Sequence, residues 1–315
     1  MISTRPMAVF IVLPQQEIRN DMKKIGLLIG TTVAFVLLFA GIMRDDVSEE
    51  KYLKLGAQKQ FDCVGQLFRN GKAVGSAVLI GKRYILTAAH CLYTYTTTPD
   101  TMIINKQKAV VYRTTAAKIA PLQEFLFRVG GKVYQAKNIK AYTDYDWQKS
   151  TYDLALIELN EEVINVAPAI LNKEKDELGY NIVGVGLGVS GKGKQPEKVV
   201  SASLKIAGQN VIDSLGGQKI NDQSTLLICD FDQPTNPKLN RIGSAIPTPL
   251  EYTCNGGDSG GGMFRLKKGK WELVGICANS EAGIDTILKN GYYGLLMSWT
   301  RLSVFNDWIK DNMKE

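Results

Sequence analysis

A single histidine, His90, serves a chain of 315 residues, and no two of its five cysteines stand in C-x-x-C spacing. Zinc sites draw on several histidines or closely spaced thiols, so neither a metal nor any other cofactor is expected. Basic residues interleaved with aromatic stacking platforms, which single-stranded nucleic acid requires, are also missing. The net charge of +7 is scattered. Four basic groups, Arg5, Arg19, Lys23 and Lys24, precede residue 44, and Lys267, Lys268 and Lys270 around Gly269 read as a hairpin tip. Nucleic acid is therefore not an expected partner. Internal repeats and low-complexity tracts are absent, and an apolar fraction of 45% with 22% charged residues excludes fibrous and disordered classes. Thirty glycines, by contrast, announce many tight turns.

One long apolar run exists. Ile25 to Met43 carries no charge over nineteen residues, with Lys23 and Lys24 before it and Arg44, Asp45 and Asp46 after it. That length spans a bilayer, and the run lacks a clean small-x-small cleavage site near its end, which favours an uncleaved anchor. A start at Met22 would instead open the chain with MKKIGLLIG, a secretory signal. Either way, basic residues stay cytoplasmic and everything after residue 44 lies outside. The expected location is membrane-anchored facing the periplasm or extracellular side, or secreted, with the membrane a partner through residues 25–43 if the segment is retained. Oligomeric state is not legible.

Residues 1–24 read as a short basic segment, 25–43 as signal or anchor, and 44–60 as a polar linker or activation region. From Phe61 onward, short apolar runs alternate with turn residues: CVGQLF and AVGSAVLI around Asn70-Gly71, EFLFRV and KVYQA around Gly130-Gly131, GGMFRL and WELVGIC around KKGK. These are hairpin signatures, and they predict an antiparallel all-β body. Near residues 188–198, GVSGKGKQPEK reads as a mobile loop. In SVFNDWIKDNM, Val304, Phe305, Trp308, Ile309 and Met313 recur at helical spacing, which predicts a terminal helix with Ser303 as its N-cap.

Three segments carry chemistry. ILTAAHC ends an apolar strand at His90, YDLALIELN places Asp153 just before an alternating apolar run, and NGGDSGGG sets Ser259 in a glycine-dense turn where backbone amides can crowd a carbonyl. Acyl transfer through serine needs a nucleophile, a base, a carboxylate that fixes the base's tautomer, and donors for the oxyanion. In order and in residue type the three segments resemble the signature blocks of the chymotrypsin-like (trypsin-like) serine proteases, as a membrane-anchored or secreted member of bacterial type.

The resemblance covers most of residues 61–309 and implies two perpendicular six-stranded antiparallel barrels, 61–172 and 173–315, the second with the terminal helix. It implies His90 as general base, Asp153 as its orienting partner, Ser259 as nucleophile, the amides of Gly257 and Ser259 as oxyanion hole, and Asp258 as acceptor of a new N-terminus. The implied activity is serine endopeptidase, acting on a protein or peptide substrate. Cys63 with Cys91 and Cys229 with Cys254 are the expected disulfides, each within one barrel.

The departures are specific. His90 and Asp153 are 63 residues apart, and Asp153 and Ser259 are 106 apart. Both spacings are long and predict enlarged loops around residues 95–150 and 230–250. Gly75 replaces a cysteine that would pair with Cys91, Ala278 a serine supporting Asp153, and Gly262 a proline. No basic residue precedes an Ile-Val-Gly-Gly, which leaves Lys54–Leu55 as the candidate activation bond. The pocket base falls on Tyr252, Thr253 or Cys254 with Ser280 and Met297 at the walls. None is acidic, so a non-tryptic preference for small or neutral side chains follows. The alternative reading is a weak or inactive protease-like scaffold that binds through its loops.

Overall fold

Turn chemistry lays out much of the chain. At Asn70–Gly71, Gly130–Gly131 and Lys268–Gly269 both central residues have positive φ: 49° and 72°, 57° and 78°, 48° and 76°. This is the mirror-image turn whose twist matches that of paired strands. In the computed structural model, which describes residues 41–104, 107–195, 201–202, 204–281 and 293–313, these turns join three of the hairpins expected above. A fourth, Asn221–Asp222 at 47° and 61°, links Ser214–Ile220 to Gln223–Asp230 with no glycine to announce it.

Six strands close a barrel in the order Val64–Arg69, Lys72–Leu79, Tyr84–Thr87, Ala155–Leu159, Lys132–Ala141 and Phe125–Val129, the last pairing back onto the first. Alternation sets the inner face: Phe125, Phe127 and Val129 are buried while Arg128 between them is exposed. The second half departs from the expected closed barrel. Its strands form an open sheet among the described residues, in the order Ile206–Val211, Asn181–Gly186, Gly262–Lys267, Lys270–Glu281, Leu296–Arg301, Gln223–Asp230 and Ser214–Ile220, with Ile170–Leu171 added in parallel to Lys270–Glu281. Ile182, Ile206, Leu227, Met263, Val274, Met297 and Trp299 pack its core. Hydrophobic transfer of such side chains, about 1.5–3 kcal/mol each, is the main term holding the sheet to its neighbours.

Residues 44–60 are not a free linker. They hold a helix, Glu49–Gly56, whose Tyr52 is fully buried and donates its hydroxyl to the Glu251 carbonyl at 3.0 Å. Ile42–Met43, the end of the apolar run read as a membrane segment, is a fully buried strand. It lies parallel to Val189–Lys192 and antiparallel to Tyr252–Thr253, so part of the segment read as a mobile loop is ordered by this pairing. Residues 25–40 lie outside the described residues, and among the described residues no helix is long and apolar enough to cross a membrane. The terminal helix is Asn306–Asn312, preceded by a short 3-10 turn at Leu302–Val304. Ser303 does not cap it: its hydroxyl is buried without a partner, because the 3-10 turn places Phe305 at the helix start. Phe305 and Trp308 dock edge-on against Tyr142.

All five cysteines are buried free thiols. The expected pairs do not form because their sulfurs engage other groups: Cys63 Sγ donates to the Gln60 carbonyl at 3.7 Å and Cys91 Sγ to the Ser259 carbonyl at 3.8 Å. Cys254 lies against Cys277 rather than Cys229. The enlarged loop expected around residues 95–150 contains a hairpin of two long strands, Tyr93–Ile104 and Gln107–Ile119, a unit of its own paired from Tyr93↔Ile119 to Ile104↔Gln107.

The second sheet concentrates buried acids. Burial lifts Asp213 to about 7, Asp232 to about 6 and Glu251 to about 8, and Asp230 rises in the same direction. A folded state with raised carboxyl pKa values binds more protons than the unfolded chain between pH ~4 and ~8, so stability falls as pH rises through that window. Thermal unfolding is therefore expected at a higher temperature at pH 5 than at pH 8. A midpoint that is flat or rises over that interval would refute the assignment. Below about pH 4 the sign reverses, because carboxylates held low by basic partners, such as Asp46 beside Arg44, become protonated.

Candidate active site

The strand Tyr84–Thr87 runs into a 3-10 turn, Ala89–Leu92, that carries His90. Thr87 pairs with Ala155 of the neighbouring antiparallel strand, so the segments leading to His90 and Asp153 emerge side by side. Before that strand the chain makes a three-residue turn closed by Leu154 N to the Tyr152 carbonyl at 2.8 Å, with Tyr152 at φ 57°. Positive φ in a tyrosine costs on the order of 1–3 kcal/mol, and here it turns the Asp153 carboxylate inward.

Asp153 is 1% exposed, and His90 engages both of its oxygens. The His90 backbone amide donates to Oδ1 at 2.9 Å, and its ring Nδ1 lies 2.6 Å from Oδ2. The Thr300 hydroxyl donates to the Asp153 carbonyl at 2.8 Å. Replacement of the expected serine by Ala278, which sits at an irregularity in the pairing of Lys270–Glu281 with Leu296–Arg301, thus leaves neither carboxylate oxygen without a donor. Burial acts most strongly and depresses an imidazolium, but the Asp153 charge, the neighbouring Cys91 and the hydrogen bonds to both together outweigh it, so His90 stands well above the ordinary histidine value.

Ser259 reaches the same place from the second sheet. Its carbonyl accepts from Ser76 N at 2.7 Å and from Cys91 Sγ at 3.8 Å, one residue from His90. A Cβ on Gly75 would stand 2.6 Å from the Ser259 carbonyl oxygen and 2.8 Å from Cys91 Sγ, so Gly75 lies directly beside both. Gly260, at φ +83°, tolerates no side chain: a Cβ there would fall 2.1 Å from the Ser76 carbonyl oxygen. The amides of Gly257 and Ser259 donate to no other group among the described residues, which leaves them available to a ligand oxygen.

Sequence reasoning missed Ser76. Fully buried, it donates its hydroxyl to the Gly257 carbonyl at 3.1 Å and accepts from Leu187 N at 3.1 Å. Its own carbonyl accepts from Thr87 Oγ1 at 2.8 Å. One small side chain thus ties the first barrel to the Ser259 turn and to the Leu187 loop. The signal was a serine beside Gly75 in a strand that otherwise reads as apolar.

The pocket residues are placed unevenly. Thr253 is buried in the strand paired with Ile42, its hydroxyl without a partner. Met297 is 4% exposed within the second core and fills space rather than lining an open slot. The Ser280 backbone pairs with Met297, and its side chain lies outside the described residues. Asp258 is fully buried, with Oδ2 accepting from the Tyr252 hydroxyl at 2.7 Å and from Asn255 N at 3.3 Å.

Residues 55–309 match the Trypsin family. The chain belongs to the trypsin family. It is also 24% identical over 256 residues to CLIP domain-containing serine protease B4 of Anopheles gambiae, an alignment covering 78% of this chain and 63% of that protein. The chain therefore spans less than two thirds of that relative. A mosquito relative lends no weight to the expected bacterial type. Membership explains why a chymotrypsin-like order of His, Asp and Ser blocks accompanies this closed barrel and open sheet, even though both expected disulfides are missing.

Proposed function

We propose that this trypsin-family chain is a serine endopeptidase that hydrolyses peptide bonds through an acyl-enzyme. Ser259 Oγ attacks the scissile carbonyl, His90 takes the proton and later delivers it to the leaving amine, and Asp153 holds the imidazole with its Nδ1 proton inward. The amides of Gly257 and Ser259 receive the negative charge that develops on the carbonyl oxygen. The acyl-enzyme is then hydrolysed by water activated at His90 in the reverse sense. The observation that carries the reading is the Asp153 carboxylate, 1% exposed and bonded twice by His90, once through the ring and once through the backbone. A buried acid spent on orienting one imidazole suits a catalytic base.

Met297 in the second core and the absence of an acid among Tyr252, Thr253 and Cys254 support a preference for small or neutral side chains before the cut. The apolar run ahead of residue 41 supports action outside the cytoplasm.

The test is labelling of the purified full chain by a fluorophosphonate, beside Ser259→Ala. Labelling of the parent and none of the variant is the expected result. If the parent, folded by near-ultraviolet circular dichroism, fails to label both before and after N-terminal processing, the endopeptidase reading falls and a binding scaffold replaces it.

A further inference from the structure

From Gly75 to Leu79 the strand Lys72–Leu79 is buried without a break, and Ser76 is the only polar side chain in that stretch. A hydroxyl buried there needs its donor and acceptor roles filled. Ser76 Oγ accepts from Leu187 N at 3.1 Å and gives its single proton to the Gly257 carbonyl at 3.1 Å. Gln66 stands opposite Ser76 on the neighbouring strand, and its amide donates to the Leu187 carbonyl at 3.2 Å. Arg128 holds the other end of Gln66, donating to Oε1 at 2.5 Å. Leu187 is thus bonded from the first barrel at both its amide and its carbonyl, and its amide in turn sets the direction of the Ser76 hydroxyl.

The bond to Gly257 acts on a residue that is free to turn. Gly257 sits at φ 96°, and a glycine reaches backbone conformations that side chains forbid. The peptide plane of Gly257 and Asp258 is gripped at two edges, its carbonyl by the Ser76 hydroxyl and its N–H by the Asn255 carbonyl at 3.1 Å. Ser76 also donates its backbone amide to the Ser259 carbonyl at 2.7 Å, so Gly257 and Ser259 are tied to one residue. The backbone bond survives loss of the side chain, whereas the bond to Gly257 does not.

We infer that Ser76 is a positioning residue for acyl transfer: its hydroxyl fixes the Gly257–Asp258 peptide and with it the direction of the Gly257 amide. The inference rests on the reading of that amide as an oxyanion donor. With the hydroxyl gone, Gly257 can rotate its carbonyl toward another donor or water, and its N–H swings off the point where negative charge develops. An oxyanion donor acts in the transition state far more than in the ground state, so the loss falls on kcat rather than on KM. Ser76 carries no charge, so its removal leaves the titration of His90 beside Asp153 in place, and with it the acid limb of the rate–pH profile.

The direct test compares the parent with Ser76→Ala on p-nitrophenyl acetate. Both are used as the full chain in the state that labels with a fluorophosphonate, with near-ultraviolet circular dichroism as the folding control. The variant is expected to lose about 10-fold in kcat, short of the roughly 100-fold or more that removal of a donor itself costs, with KM within about 2-fold and the acid limb unmoved. Fluorophosphonate labelling should slow by a similar factor, since the phosphoryl oxygen enters the same site. Ser76→Cys fills nearly the same space with a weaker donor and should fall between parent and alanine; it carries the test where Ser76→Ala fails to fold. A kcat within about 2-fold of the parent in every folded variant, or a loss that appears instead in KM or as a shifted acid limb, overturns the inference and leaves the endopeptidase reading intact. A folded parent that labels neither before nor after N-terminal processing overturns both.

Discussion

Replacement of Asp153 by asparagine lowers kcat at neutral pH by about four orders of magnitude, a size borrowed from Ser-His-Asp enzymes as a class, and leaves the fold intact. Asparagine can keep an oxygen where Oδ1 accepts the His90 amide at 2.9 Å, so the local backbone holds. On the other side, the carboxylate oxygen 2.6 Å from Nδ1 is exchanged for an amide nitrogen that donates. The imidazole must then carry its proton on Nε2 and can no longer take one from Ser259. Charge is lost as well. In the parent, burial pulls the His90 pKa down, and the Asp153 carboxylate together with Cys91 more than restores it. A general base works unprotonated, so activity of the parent rises with pH through a midpoint above the ordinary histidine value of about 6.5. Without the carboxylate the largest upward contribution is gone, and the acid limb of the residual kcat/KM moves to lower pH. Rate–pH profiles of both proteins on one ester substrate check the two claims together. A loss of less than about 10-fold, or an acid limb that stays in place, would remove Asp153 from the role given to it.

What was legible in the sequence followed from local chemistry. The hairpins at Asn70–Gly71, Gly130–Gly131 and Lys268–Gly269 could be read because each turn needs residues that accept positive φ. Asn221–Asp222 makes the same turn without glycine and passed unread. The order of the His90, Asp153 and Ser259 blocks was legible because each stands in a short segment of unusual composition. Ser76 was not, since its importance depends on three long-range bonds that no local pattern announces. Ile42 and Met43 were misassigned for a physical reason: a buried strand and the end of a membrane segment look alike when both are short and apolar. The cysteine pairs failed because sharing a barrel does not bring two sulfurs within bonding reach. Glu177 was hidden too. In KEKDELGY it is one of five charged residues in a row of eight, which reads as a solvated loop.

Glu177 is instead fully buried, and its replacement by alanine is expected to cost about 3–5 kcal/mol, a large share of the 5–15 kcal/mol typical of a whole domain. One carboxylate oxygen accepts Arg301 Nε at 3.0 Å and Nη2 at 2.7 Å, and the other accepts the Asn172 amide at 3.0 Å. Asn172 in turn accepts from Arg265, which also reaches Asp176 and Glu272 and stacks over the Tyr180 ring. The side chains of Arg301 and Glu177 are 2% and 0% exposed. Alanine at 177 therefore strands a guanidinium with no counter-charge and no water, and that uncompensated charge is the source of the cost rather than any net worth of the pair. Urea unfolding should show a midpoint lowered by more than about 1 M with the slope unchanged. The paired change Glu177→Leu with Arg301→Met separates the two explanations. If the penalty is the orphaned charge, the double variant recovers to within about 1 kcal/mol of the parent, because a hydrophobic pair of similar volume is close to neutral in such a site. A double variant as unstable as Glu177→Ala would show that packing around Asn172 and Arg265 depends on the ion pair itself. A single variant within about 1 kcal/mol of the parent would mean that Arg301 finds water or another acid, and the burial argument would fail.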